Sequence, residues 1–385
     1  MAGIALLRGA RALLPDGRMQ IADVLLENGR MTAVGRALSA PSNAEVIALE
    51  GLILAPGFID VHVHGGGGFS LLSADAGEVA QYANWAASRG VTGFLATICA
   101  ASLEQGIACA RAATAAKANG EGARLLGVNF EGPFVSPERR GALPQSWLQT
   151  PDVSVLDRLL DAGDVRVMTI APELDGSDAV IRRALERGVT VSLGHTDAAF
   201  DIASRAFQAG ASHITHAFNA MRPLHHREPG PIGAAMAADN VTVEAIADGV
   251  HLHPATVRLL IEALGPDRVC LVTDAVTPAG LDSGVFRIGG EEASLQDGSI
   301  RLPDGTIAGS ATTMDAVVRN VVEWGCADHA AALRMASAAP ARVAGVAGRT
   351  GAIKPGYDAD LVALTPDLRV ASTWVAGREV YSSGV

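Results

Sequence analysis

His62 and His64 stand one residue apart at the end of the apolar run GFIDVHVH, residues 57–64, and four glycines begin immediately after Val63–His64. Side chains at i and i+2 of a strand share a face, so both imidazoles can point at one ion while Val63 turns to the outer layer. The glycines then suit a loop whose backbone approaches the site closely. Other apolar runs end in similar residues: Glu131 in VNFEGPF, His195 in VSLGHTDA, His216 in HITHAFNAM and Asp274 in CLVTDA.

Each of these has an ordinary structural reading. An HxH pair can sit in a turn, a lone histidine can be satisfied at a core edge, and Glu131 or Asp274 can close a turn or cap a helix. Together, imidazoles and a carboxylate are the borderline donors that Zn²⁺ or Fe²⁺ accepts. An ion held there would lower the pKa of a bound water toward ~7 and polarise a carbonyl. Asp274 would take the water's proton and return it to a leaving amine.

Such a site needs a scaffold that carries distant residues to one place. Apolar runs at 58–63, 93–97, 125–130, 166–170, 189–193, 212–215, 242–247 and 269–273 alternate with Ala-rich segments of helical period such as DAGEVAQYANWAASRG and DAVIRRALERG. Eight βα units in roughly 290 residues predict a (β/α)8 TIM barrel, whose reactive residues follow the C-terminal ends of its strands. His62 and His64 end the first run, Glu131 the third, His195 the fifth, His216 the sixth and Asp274 the eighth, while His251 follows the seventh.

Residues 1–54 and 345–385 read instead as short strands with Gly and Pro turns, among them GIALLRGARALL and RVASTWVAGREVY. They are expected to pair into one small β domain beside a barrel spanning 55–344.

The 385 residues carry 30 basic and 41 acidic side chains, net charge −11, with no Lys/Arg cluster to follow a phosphodiester backbone, which speaks against nucleic acid as a partner. No apolar stretch reaches membrane-spanning length, and the start of the chain lacks the layout of a signal peptide, so a cytoplasmic protein without a membrane role is expected. Cys99, Cys109, Cys270 and Cys326 are scattered among apolar residues, as small core residues of a reducing compartment would be.

The ordered motifs HVH, EGPF, GHT, THAFNAM, DGVH and TDA, with PGYDADLV near the end, resemble the amidohydrolase superfamily. With REPG, they resemble within it the N-acetylglucosamine-6-phosphate deacetylases. The resemblance implies a small β-sandwich from both termini beside the barrel. It also implies Glu131, His195 and His216 as shared metal ligands, His62 and His64 as ligands of a second ion that Glu131 would bridge, and Asp274 as acid/base. Substrate contacts are implied at Asn219, Ala220, His251 and Ala142, and Arg227 is implied to reach the sugar phosphate in a neighbouring subunit's site, which makes the protein a homodimer.

One position departs from the pattern. Members usually have a histidine where RRGALPQSW places Leu143, and a leucine cannot donate a hydrogen bond to an acyl carbonyl. The metal alone, Arg140, Gln145 or another donor could serve, or the acyl sugar phosphate could be another, such as N-acetylgalactosamine 6-phosphate. A cyclic-amide hydrolase sharing the barrel would commonly use a carboxylated lysine where Glu131 stands, and a non-catalytic scaffold would tend to lose ligands that are all present here.

Overall fold

The computed structural model describes residues 3–116, 121–281, 284–288, 291–296 and 298–384. Eight parallel strands make the central sheet: β1 Phe58–Val63, β2 Val91–Ile98, β3 Arg124–Glu131, β4 Val165–Ile170, β5 Thr190–Leu193, β6 His213–Ile214, β7 Thr242–Ala245 and β8 Val269–Leu271. Neighbours in the chain are neighbours in the sheet. Every residue of β1 and β2 is buried, because helices cover one face and the barrel interior covers the other. The helices Ala76–Ala87 and Val153–Leu160 begin where Asp75 and Asp152 accept hydrogen bonds from free N–H groups of the first turn.

The register of β1 slips between Asp60 and Val63. Ile59 and Val61 therefore pack in the interior with Leu95, Val167, Cys270 and Val272, and His62 and His64 still face the site above them. Closure of the barrel runs just beyond β8: the Asp274 N–H donates to the His62 carbonyl at 2.9 Å, and the His64 N–H donates to the Ala275 carbonyl at 2.7 Å. That seam sets Asp274 beside both histidines.

Strands from the two chain ends form a second eight-stranded sheet. Its path runs through 378–382, 370–375, 361–364, 53–56, 5–13, 19–27 and 30–35, and 45–48 pairs with the start of 5–13. Leu7, Val24, Leu26, Leu54, Leu361 and Trp374 build its separate core.

Two features differ from the sequence reading. Strands Gly284–Ile288, Glu291–Gln296, Ser299–Arg301 and Ile307–Ser310 form an antiparallel sheet that the βα count did not anticipate. Its last strand docks beside the seam between β8 and β1, where the Ser310 N–H donates to the Asp274 carbonyl at 2.8 Å.

The glycines after His64 serve packing rather than access to the site. Gly65–Gly66 pairs with Phe69–Ser70, and a Cβ on Gly66 or Gly67 would stand 2.3 or 2.5 Å from the Trp85 ring. The N–H groups of Gly67 and Gly68 donate to the Ala279 and Thr277 carbonyls, holding the segment that follows Asp274.

Candidate metal centre and active site

Glu131, buried at the end of β3, lies at the centre of the site. Its Oε1 stands 2.8 Å from His195 Nε2 and 3.0 Å from His216 Nε2, and its Oε2 stands 3.3 Å from His64 Nε2. His62 Nε2 lies 3.6 Å from Glu131 and 3.5 Å from Asp274, and His64 Nε2 lies 3.2 Å from the same Asp274 oxygen. Two groups of donors, His62/His64/Glu131 and Glu131/His195/His216, thus share one carboxylate.

The outward nitrogens explain why the inward ones converge. His64 Nδ1 lies 3.1 Å from the Thr97 carbonyl and His195 Nδ1 lies 2.9 Å from the Arg139 carbonyl. A carbonyl can only accept, so each Nδ1 carries the proton and each Nε2 offers a lone pair. His62 Nδ1 likewise donates to the Glu244 carboxylate at 2.7 Å.

His62 Nε2 is buried with no hydrogen-bond partner among the described residues, and the His195 and His216 Nε2 atoms lie only 3.0 Å apart. Nitrogens arranged in this way fit a divalent cation, which accepts from all of them at once.

The electrostatics agree. Burial pushes Glu131 up, but His62, His195 and His216 outweigh it and hold its carboxyl well below the usual range. Burial also pushes Asp274 up, and His64 and His62 reverse that to leave it lowered and ionised near neutral pH. Burial lowers His62, whereas Glu244 and Glu131 raise it well above the ordinary value. The carboxylates of Glu131, Asp274 and Glu244 thus favour positive charge at these imidazoles, which a proton or a divalent cation can supply.

Backbone strain concentrates here too. His195, His216, Ala220 and Asp274 have φ of 46, 25, 47 and 49°, in or near the left-handed region, where an L residue costs roughly 1–3 kcal/mol. The neighbouring structure holds them there and so fixes the direction of these side chains.

These side chains open into a cavity of about 260 Å³. Asn219, Ala220, His251 and Ala142 line it, and His251 is fixed by its Nδ1 contact with Asp248 at 2.7 Å.

The model of the amidohydrolase family matches residues 53–380. The chain belongs to the amidohydrolase family.

Similarity extends across the whole amidohydrolase chain. It is 37% identical to the N-acetylglucosamine-6-phosphate deacetylase of Bacillus subtilis, over 89% of this chain and 88% of the relative. It is 36% identical to the N-acetylgalactosamine-6-phosphate deacetylase of Escherichia coli O157:H7, over 97% and 98%. The N-acetyl-D-glucosamine-6-phosphate deacetylase of Mycobacterium smegmatis, solved as a D267A mutant with N-acetyl-D-glucosamine-6-phosphate, superposes with a TM-score of 0.91 at 35% identity, covering 98% of this chain and 100% of that one.

Four residues singled out in the sequence lie outside the cluster of imidazoles and carboxylates. Arg227 is exposed in the loop 222–228, beside Arg222, Glu228 and Phe200 and away from the cavity of its own chain. Arg140 folds onto its own loop, donating to the Leu143 carbonyl at 2.8 Å, and Gln145 is exposed, so neither lines the cavity where Leu143 does. Cys99 is not a core residue: half-buried, it lines the cavity 3.9 Å from His64 Nδ1.

Sequence reasoning missed Glu244 and the cavity wall at Thr306–Gly309. A lone acid in the apolar strand VTVEAIA was the available signal for the first. The long stretch between Asp274 and the helix Met314–Glu323 was the signal for the second.

Proposed function

We propose that this amidohydrolase removes the acetyl group of N-acetyl-D-glucosamine 6-phosphate, giving glucosamine 6-phosphate and acetate. One observation carries the reading: the Asp274 carboxylate faces a Glu131 shared by two groups of imidazoles, within a cavity lined by Asn219, Ala220 and His251. The relatives and their solved structures support the substrate class.

Glu131, His195 and His216 would hold a divalent ion, zinc or iron, and His62 and His64 a second; such an ion would supply carbonyl polarisation and an acidified water. The protein's own residues do the rest. Asp274, its carboxyl lowered and so ionised at neutral pH, takes a proton from the water whose oxygen bonds to the acyl carbon. It then gives that proton to the amine nitrogen as the C–N bond breaks, releasing acetate.

His251, held by Asp248, and Asn219 are positioned to bind the sugar, with Ala220 and Ala142 shaping the wall around it. The free cysteines suit a reducing, cytoplasmic setting, and among the described residues no helix is long and apolar enough to cross a membrane.

Exposed Arg227, outside its own chain's cavity, suits a homodimer in which it reaches the phosphate bound by the second copy. Arg227→Ala is expected to raise KM by about 10–100-fold with kcat little changed, as loss of a charged hydrogen bond would. Steady-state kinetics on the phosphorylated sugar check this, and an unchanged KM would remove Arg227 from the site.

A second reading has its own support. Leu143 lines the cavity where family members usually offer a histidine, and the N-acetylgalactosamine-6-phosphate deacetylase is similar over nearly the full length. Acetate release from the two epimeric phosphates decides between them. A kcat/KM at least tenfold higher on the glucosamine epimer is expected, and the opposite preference would move the assignment. Metal-loaded protein that releases acetate from neither would overturn both readings.

A further inference from the structure

Beneath the site lies a carboxylate that touches neither the cavity nor the water. Glu244, on β7, is 1% exposed, and its Oε2 accepts both the His62 Nδ1–H at 2.7 Å and the His216 backbone N–H at 2.8 Å. Its Oε1 lies 3.1 Å from His213 Nε2, and the other nitrogen of that ring lies 2.6 Å from the Thr242 hydroxyl. The Glu244 carbonyl also accepts the Ala217 N–H at 2.9 Å.

His62 belongs to one group of candidate ligands and His216 to the other, so a single oxygen braces both. The two are braced differently. His62 is held through its ring, which sets its tautomer and aims its Nε2 at the site.

The His216 ring has no such support, since its Nδ1 has no hydrogen-bond partner among the described residues. Its direction therefore depends on its backbone, which sits at φ 25° and is pinned by Glu244 through the N–H of His216 and the N–H of Ala217. A strained turn of this kind persists only where its surroundings over-determine it.

We propose that Glu244, buttressed by His213 and Thr242, is a positioning residue that holds one ligand of each metal group and so sets the metal affinity of both together. This rests on the reading of the two groups as metal sites. Glu244 is outside the reach of substrate and acts only through His62 and His216.

The test uses zinc(II) and a competing chelator at fixed pH on purified full-length protein, wild type against Glu244→Gln and Glu244→Leu, with thermal melting of the metal-free forms alongside. Glutamine keeps the shape and one side-chain acceptor but loses the charge, and leucine loses both side-chain acceptors while the backbone carbonyl that accepts the Ala217 N–H stays. Removing such support weakens metal binding by about 10–100-fold, so about tenfold is expected for Gln and about 100-fold for Leu, in both sites.

Zinc affinity unchanged in Glu244→Gln, in protein that melts as wild type does, would overturn the proposal even if the leucine variant does not fold. Weakening confined to one site would also overturn the claim that the two are set together. Wild-type protein that binds no zinc would instead tell against the metal sites themselves.

Discussion

Asp274→Asn is expected to lower kcat by about 10³–10⁴-fold, with KM and bound metal close to wild type. General acid–base catalysis contributes about 10²–10⁴-fold, and Asp274 is assigned both the proton removal and the proton delivery, which puts it at the upper end. Asparagine keeps the size of the side chain and can keep an oxygen toward His64, now 3.2 Å from the carboxylate. The Asp274 N–H bond to the His62 carbonyl is untouched, so the barrel seam stays closed.

What asparagine cannot do is accept a proton at neutral pH. The carboxylate can, because His64 and His62 keep it ionised against its burial. Steady-state kinetics with metal analysis of the same sample check this. A variant that retains metal and more than a tenth of the wild-type kcat would remove Asp274 from the proton-transfer role.

His195→Ala and His216→Ala should each lose the ion of the shared group and bring kcat down by 10³-fold or more. Removing either nitrogen leaves Glu131 Oε1 with one imidazole in place of two, from a set whose Nε2 atoms lie 2.8 and 3.0 Å from it. Carbonyl polarisation by a metal contributes several kcal/mol, and each 1.36 kcal/mol is tenfold in rate. His62 and His64 remain in both variants and can still hold an ion with Glu131.

Elemental analysis of protein purified without added metal should therefore show partial loss, together with near-complete loss of turnover. Full metal content with near wild-type kcat in His195→Ala would place the productive ion elsewhere.

Much of this site is legible in the chain, for a physical reason. Barrel strands buried on both faces read as uninterrupted apolar runs, so the polar residue ending each run marks where the strand surfaces at the barrel mouth. Glu131, His195, His216 and Asp274 all announce themselves in this way. Glu244 and His213 lie one layer deeper, and their partners come from other strands, so spacing along the chain says nothing about what they hold.

Arg227 is the reverse case, a residue conspicuous in HHREPG yet distant from the cavity of its own chain. Leu143 was visible as a departure, but its consequence was not. Only the fold shows that Arg140 turns onto the Leu143 carbonyl and that Gln145 faces outward, leaving an apolar wall in the cavity.

The sequence by itself determined the eight-strand alternation, the short-strand character of both chain ends, and which residue types stand at the strand ends, because these follow from hydrophobic period and local turn chemistry. The tertiary structure alone decided how those residues meet. Closing β8 against β1 brings Asp274 to His62 and His64, the register slip in β1 aims those histidines inward, and the four glycines become a tight hairpin under Trp85. These are contacts between segments separated by as many as 200 residues or more, set by barrel closure and dense packing rather than by any local preference of the chain.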